Sequence, residues 1–198
     1  MKTALAQIEG VSPYSQSKHY DKVAVPPLQG ESSRDYEART WRNRLHVNED
    51  GQVFIPPMAF KNCAVEAAKY LQLQVPGKGK STYTKFFESG ILTTDPIVLP
   101  LKPADCASEC LFVPSDGKRG GGSRVEKVFP LIPHWGGQLK ILVFDETVLN
   151  VWDTVSKKTV LQHVLEQAGM FIGIGRFRPK SNGFYGRYRV AKFTVSEG

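Results

Sequence analysis

The chain has 198 residues, of which 41% are hydrophobic and 11% aromatic, and its formal net charge is +7. A chain of this composition can form a hydrophobic core, which excludes wholesale disorder. The excess of Lys and Arg favours an anionic partner such as nucleic acid. No apolar run approaches the ~20 residues of a membrane span, so we expect no membrane partner. The residues after Met1 do not resemble a signal peptide, and three cysteines, an odd number, favour the cytoplasm over a disulfide scaffold.

The first half of the chain predicts one strand, one inserted loop and one clear helix. The strand covers residues 3–11, where apolar and polar residues alternate. Residues 20–50 read as a long insertion in which residues 36–46 can be helical. The helix spans residues 57–71, because prolines precede an apolar stripe at helical spacing. Short strands are expected at 91–101 and 109–113.

The second half predicts a hairpin, a strand, a second helix and a closing strand. Residues 114–137 combine a polar, glycine-rich tip with an apolar continuation, which is typical of a long hairpin. A strand follows at 138–144, a helix at 156–168 and the last strand at 187–195. This order predicts one α+β domain over residues 1–198, a ferredoxin-like (RRM-like) antiparallel sheet with two helices.

The last thirty residues concentrate basic charge. They contain six Lys or Arg residues and a single acid, Glu197. Glycines at 173 and 175 allow close approach to a phosphate chain, and arginines pair with phosphate oxygens in a fork geometry. Four rings, Phe177, Phe184, Tyr185 and Tyr188, are interleaved with these charges, and such rings stack on unpaired bases. We therefore expect binding of single-stranded RNA; the alternative is a solvated basic hairpin.

Three short motifs resemble the RAMP superfamily of CRISPR proteins, and in particular its guide-RNA-binding backbone subunit. Residues 8–13 resemble the family's first strand and its exit loop, residues 55–61 resemble the entry to its first helix, and residues 173–178 with 186–189 resemble its glycine-rich loop. The hairpin segment, residues 113–137, lies where the family carries a thumb-like hairpin. The resemblance implies a non-catalytic subunit that holds guide RNA beside other copies of itself and other effector subunits. It equally leaves open an RNA-processing endonuclease of the same superfamily, or a phage-encoded mimic that caps or inhibits an effector complex.

These observations yield a list of expected contacts. Phe129, Ile132 and Trp135 follow the polar hairpin tip and are expected to contact another subunit, unless they fold back onto the sheet. No catalytic residue, metal or cofactor is expected. RNA contacts are expected from basic residues and glycines, namely Lys18, His19, Arg42, Arg44, Lys61, Lys118, Arg119, Arg124, Gly173, Gly175, Arg176, Arg178, Lys180, Arg187 and Arg189.

Three weaker patterns suggest a zinc site or a site of RNA cleavage, and each has a simpler interpretation. Cys106 and Cys110 with His134 supply three candidate zinc ligands, whereas a closed tetrahedral site needs four. His19 with Lys18, Tyr14 and Tyr20 can form an acid–base set for RNA cleavage, but a plain phosphate contact is the simpler interpretation. In some backbone subunits of the resembled family an aspartate at the place of Asp21 cleaves RNA with a metal, and here we expect only a turn residue.

Overall fold

The computed structural model describes residues 1–115 and 123–197, and within these ranges it contains eleven strands and four α-helices. The helices are α1 (Ser33–Thr40), α2 (Pro57–Leu71), α3 (Thr84–Ser89) and α4 (Val160–Gln167). The strands are β1 (Lys2–Gly10), β2 (Tyr14–Ser15), β3 (Phe54–Ile55), β4 (Ile91–Thr93), β5 (Ile97–Val98), β6 (Ala107–Pro114), β7 (Arg124–Ile132), β8 (Gly136–Val143), β9 (Val151–Asp153), β10 (Lys158–Thr159) and β11 (Tyr188–Glu197).

The main sheet has four strands in the order β11-β1-β8-β4, and every neighbouring pair is antiparallel. Helix α2 lies between β1 and β4 in the sequence, and α4 lies between β8 and β11. The expected α+β class with an antiparallel sheet is confirmed.

The core lies between one face of this sheet and the helices. Apolar residues alternate along β1 and β8 because successive side chains of a strand point to opposite faces. The buried set includes Ala4, Ala6, Ile8, Leu139, Ile141 and Val143 from the strands and Phe60, Ala64, Ala67, Leu161, Val164 and Leu165 from the helices. Each fully buried Leu or Ile contributes roughly 1.5–3 kcal/mol through burial. The opposite face carries Gln7 and Gln138, which are exposed.

Two helices differ in how closely they follow the expectation. Helix α2 has the predicted bounds, with proline in its first turn and Gln72 in the left-handed region (φ 49°) at its end. Helix α4 begins at Val160 rather than 156, because the preceding residues form a turn. Asp153 accepts hydrogen bonds from the backbone of Val155 and Ser156, and Thr159 caps the helix by accepting from Gln162 N at 3.2 Å.

A second sheet, in the order β2-β7-β6, contains the long hairpin. Its register runs from Ala107 opposite Leu131 to Pro114 opposite Arg124. The arms therefore begin before the expected segment 114–137, whose last two residues belong to β8. The expected contacts Lys118 and Arg119 lie outside the described residues.

The inserted region packs against this hairpin through a buried charge. Glu37 of α1 is fully buried and pairs with Arg44 at 2.8 Å and with Lys127 of β7 at 2.5 Å. Burial acts to raise the pKa of Glu37, but the hydrogen bond from Lys127 and the charge of Arg44 outweigh it, so its pKa lies below the usual value. This buried carboxylate fixes the insertion to the hairpin.

Candidate nucleic-acid interface

The glycine-rich loop after α4 is folded tightly onto the segment that leaves β1. Arg176 N donates to Ser15 O at 2.9 Å, and Gly186 N donates to Pro13 O at 2.8 Å. Gly175 and Gly186 have φ angles of 77° and 73°, in the left-handed region that favours glycine. A Cβ on Gly175 would lie 2.5 Å from Ser15 O, so a larger residue cannot occupy this position without displacing the backbone.

This docking creates a cleft of about 480 Å³. One wall is the loop, with Gly175, Arg176 and Arg178; the second is residues 14–17, just after β1; the third is the start of α2, residues 56–62, with His46 beside it. Residues from two of the segments that resemble family motifs, 55–61 and 173–178, therefore line one cleft, and its second wall directly follows residues 8–13.

Arg176 is held in the cleft wall by two rings. Its guanidinium carbon lies 3.2 Å from the ring centroid of Phe129 and 3.8 Å from that of Phe177. Burial, with a contribution from Arg44, lowers the pKa of Arg176 to about 10, so it remains charged at neutral pH. Its buried Nη1 has no hydrogen-bond partner among the residues that the structure describes. An unsatisfied cationic donor at a cleft is well suited to an anionic oxygen.

Arg178 and Lys180 share one carboxylate. Arg178 lies 3.1 Å and Lys180 3.0 Å from Glu66 of α2. Two positive charges face a single negative one, so the pair of cations is only partly neutralised. Both side chains keep partial exposure and can pair with a phosphate as well as with Glu66.

The other expected RNA contacts fall into several places. Lys18, His19, Arg42 and Arg124 are exposed, and the first two follow directly on the cleft wall. Gly173 is buried at the base of the loop with a φ of 69°. Two arginines point away from the cleft into local bonds, since Arg187 donates to Met170 O at 3.2 Å and Arg189 pairs with Glu9 at 2.6 Å.

Arg44 and Lys61 are corrections to the sequence-based list, because both are buried. Arg44 is 6% exposed and is occupied by Glu37 and by Val128 O at 3.0 Å. Lys61 is 7% exposed, and its ammonium donates to the carbonyls of Phe87 and Glu88 near the end of α3. Cations stabilise the carbonyl end of a helix in this way. In this conformation neither side chain is available to an RNA phosphate.

The expected subunit-contact residues are also inside the protein. Phe129, Ile132 and Trp135 are 7%, 1% and 7% exposed. Trp135 Nε1 donates to Ser12 O at 2.8 Å, and the indole covers Gly10, where a Cβ would lie 2.5 Å from Nε1. The apolar arm folds back onto its own core, because burial there removes three large side chains from water. These side chains therefore do not form a surface for another subunit.

Two residues of the cleft were not anticipated. Gln16 accepts from His46 N at 2.7 Å and donates to Phe54 O at 2.8 Å, which joins the segment after β1 to the insertion. Burial lowers the pKa of His46, and the nearby charge of Lys18 lowers it further. No local sequence pattern predicts that Gln16 or His46 lies in the cleft, because contacts between distant segments position both residues.

The weaker sequence patterns gain no support. Within residues 1–115 and 123–197, no cluster of three or more His, Cys, Asp or Glu residues is suited to hold a metal ion. Two tyrosines belong to the possible acid–base set around His19. Tyr20 donates its hydroxyl to Thr40 Oγ1 at 3.2 Å, and burial raises the pKa of Tyr14 far above its usual value. No helix in the described part of the chain is long and apolar enough to cross a membrane.

Comparisons with known proteins complete the description of the site. No protein-family model and no curated protein matches this sequence. Among solved structures, the chain is similar to Cmr6 from Pyrococcus furiosus, with 12% identity and a TM-score of 0.46, over 96% of this chain and 99% of that one. It is also similar to a chain of a CRISPR RNA-guided surveillance complex, with 10% identity and a TM-score of 0.42, over 98% of this chain and 68% of that one.

Proposed function

We propose that this protein is a cytoplasmic, non-catalytic RNA-binding subunit of a CRISPR-type ribonucleoprotein, with a ferredoxin-like domain that holds single-stranded guide RNA. The observation that carries the proposal is the cleft of about 480 Å³ in which Arg176 and Arg178 face the start of α2. The phosphates lie against these two arginines, beside Gly175, which lines the same cleft. Lys18 and His19 continue the contact beyond the cleft.

The chemistry favours a phosphate chain over an isolated carboxylate. Arg176 and Arg178 line the cleft, with Lys180 close by, and the buried Nη1 of Arg176 has no hydrogen-bond partner in the described part of the chain. Each phosphate neutralised on a single strand adds about −0.7 to the slope of log affinity against log salt. Four to six contacts correspond to a slope of roughly −3 to −4.

The test is fluorescence anisotropy of a labelled single-stranded 12-nucleotide RNA across a range of salt concentrations. We expect the steep slope for the wild type and a shallower slope for Arg176→Ala/Arg178→Ala. Lys85→Ala, which removes an exposed cation from α3, is the matched control and is expected to bind like the wild type. A flat salt response of the wild type would contradict the proposal.

We further propose that copies of this subunit assemble side by side on RNA together with other effector subunits. Because Phe129, Ile132 and Trp135 are buried, we assign the contact to the exposed face of the hairpin instead. Phe112 of β6 is 62% exposed and is the large apolar side chain on this strand that is open to a neighbour. Light scattering of the RNA complex tests this, and Phe112→Ser is expected to shorten the assemblies while binding of a short RNA persists.

A second candidate, an RNA-processing endonuclease, is favoured by the position of His46. This imidazole lines the cleft, and its lowered pKa keeps it neutral at pH 7, as a general base requires. It would take the proton of a ribose 2′-hydroxyl, whose oxygen attacks the phosphorus while the 5′-oxygen leaves with a proton from water. The test is metal-free incubation with labelled RNA. A 2′,3′-cyclic phosphate product that disappears in His46→Ala would favour this candidate, and intact RNA would favour the non-catalytic one.

A further inference from the structure

A second cleft adjoins the first and differs from it in chemistry. It has a volume of about 450 Å³ and runs between residues 18–25 and 42–47. Its buried and half-buried lining is apolar and includes Val25, Leu45 and Val47. Its exposed lining is polar and includes Arg42 and Asn43. An apolar depression with a few polar groups at its mouth is typical of a site for a compact organic ligand.

The two clefts are consecutive along the same pair of chain segments. Ser17 lines the first cleft and Lys18 the second, while His46 lines the first and Leu45 the second. The Cα atoms of consecutive residues are about 3.8 Å apart. Lys18 N donates to Arg44 O at 2.9 Å, which fixes the two segments side by side. A strand whose phosphates occupy the first cleft therefore passes beside the second.

We propose that the second cleft binds one nucleobase of that RNA strand, an inference that rests on the proposed function. The guanidinium of Arg42 stacks on the ring of Trp41 at 4.2 Å, and its Nε donates to Pro103 O at 3.2 Å. These contacts hold the guanidinium plane in a defined orientation. Nucleobases stack on arginine planes as well as on aromatic rings. A base laid on Arg42 continues the stack that Trp41 begins.

The polar groups of the second cleft also suit a base better than a second phosphate. The Asn43 amide offers both donors and an acceptor, which matches the edge of a nucleobase. Asp21 places a carboxylate in the same cleft, where it partly neutralises Lys18 and Arg42, whereas the charged side chains of the first cleft, Arg176 and Arg178, are both cationic. The Oδ1 of Asp21 accepts from Val23 N at 2.8 Å, which holds the carboxylate in a local turn. The second cleft thus differs from the first in its apolar lining and in having a carboxylate beside its two cations, Lys18 and Arg42.

The test compares a single-stranded 12-nucleotide RNA with a ribose-phosphate strand of the same length that lacks all bases. Stacking of one base corresponds to a preference of about tenfold. We expect the wild type to prefer the base-bearing strand by about this factor. Asn43→Ala removes no charge, so it should reduce the preference while leaving affinity for the abasic strand unchanged. Arg42→Lys keeps the charge but removes the plane, and should reduce the preference as well.

The outcomes distinguish a failure of this inference from a failure of the proposed function. Equal binding of both strands by the wild type would overturn the nucleobase site while leaving the phosphate cleft intact. A preference that survives both Asn43→Ala and Arg42→Lys would overturn the site as well, because the base would then be bound elsewhere. Failure of both strands to bind would overturn the proposed function and this inference together. Circular dichroism of each variant verifies that it is folded.

Discussion

The guanidinium carbon of Arg176 lies 3.2 Å from the ring centroid of Phe129, which joins the glycine-rich loop to β7 of the hairpin. Tyr185 of the same loop donates its hydroxyl to Glu109 of β6. The loop and the hairpin therefore form one connected surface beside the cleft. A change in either element is expected to alter the orientation of Arg176 and with it the binding of RNA.

Replacement of Arg176 tests whether its planar shape matters beyond its charge. Arg176→Lys keeps the positive charge but loses the guanidinium face between Phe129 and Phe177 and the fork that pairs with phosphate. We expect RNA affinity to fall by about tenfold, which corresponds to about 1.4 kcal/mol. Fluorescence anisotropy measures the affinity, and Lys85→Arg, an exposed change on α3, is the control. Unaltered affinity in Arg176→Lys would show that charge alone acts at this position.

Two glycines with the same left-handed backbone conformation allow the cost of backbone strain to be measured apart from the cost of steric contacts with an added side chain. A Cβ on Gly186 (φ 73°) would lie 1.8 Å from Ile174 O, whereas a Cβ on Gly77 (φ 74°) meets nothing within 4 Å. Gly77→Ala should cost only about 1 kcal/mol in unfolding free energy, from the left-handed backbone alone. Gly186→Ala should cost several times more, roughly 3 kcal/mol or above, and should weaken RNA binding. Urea denaturation compares the two variants; equal losses would contradict the packing of the loop.

The buried carboxylate of Glu37 predicts a large stability effect away from the cleft. Glu37→Gln leaves Arg44 and Lys127 without their negative partner, and breaking a buried pair costs about 3–5 kcal/mol. The matched control is Glu146→Gln, which breaks an exposed pair with Lys2 and should cost less than about 1 kcal/mol. Chemical denaturation at pH 7 measures both. Similar losses in the two variants would mean that Glu37 is not the link between insertion and hairpin.

His46 predicts a dependence of RNA affinity on pH. Its folded pKa is lowered by burial and by Lys18, so it is neutral at pH 7 in the free protein. A phosphate in the cleft favours the protonated form, and binding is therefore linked to proton uptake. Affinity should rise as pH falls below about 6.5, the usual pKa of His. Without RNA the sign is opposite, since a lowered folded pKa means that stability is lost as pH falls through the same region.

Anisotropy titrations between pH 5 and 8 test this dependence. His46→Gln should remove most of the rise in affinity at low pH. His19→Gln is the comparison, because His19 is an exposed histidine beside the cleft. If His19→Gln rather than His46→Gln abolishes the rise, the phosphate lies outside the cleft.

Local patterns in the sequence were sufficient for several elements. Proline followed by apolar residues at helical spacing predicts α2 with its observed bounds, since both features act within one or two turns. Alternation of apolar and polar residues likewise predicts β1, because the two faces of a strand follow from its backbone geometry, and a run dense in Leu, Ile and Val predicts β8. Helix α4 was misplaced at its start because the turn around Asp153 depends on side-chain hydrogen bonds that hydrophobic periodicity does not register.

The sequence by itself determined the α+β class, the excess of positive charge and its concentration near the glycine-rich loop, since these depend on composition and local order. Only the tertiary structure decided which cations face the cleft. Arg44 and Arg176 look alike in sequence, yet Glu37 occupies the first while the second keeps an unpaired Nη1. The physical reason is that burial and pairing depend on side chains brought together from distant segments, as Lys127 meets Glu37 across 90 residues.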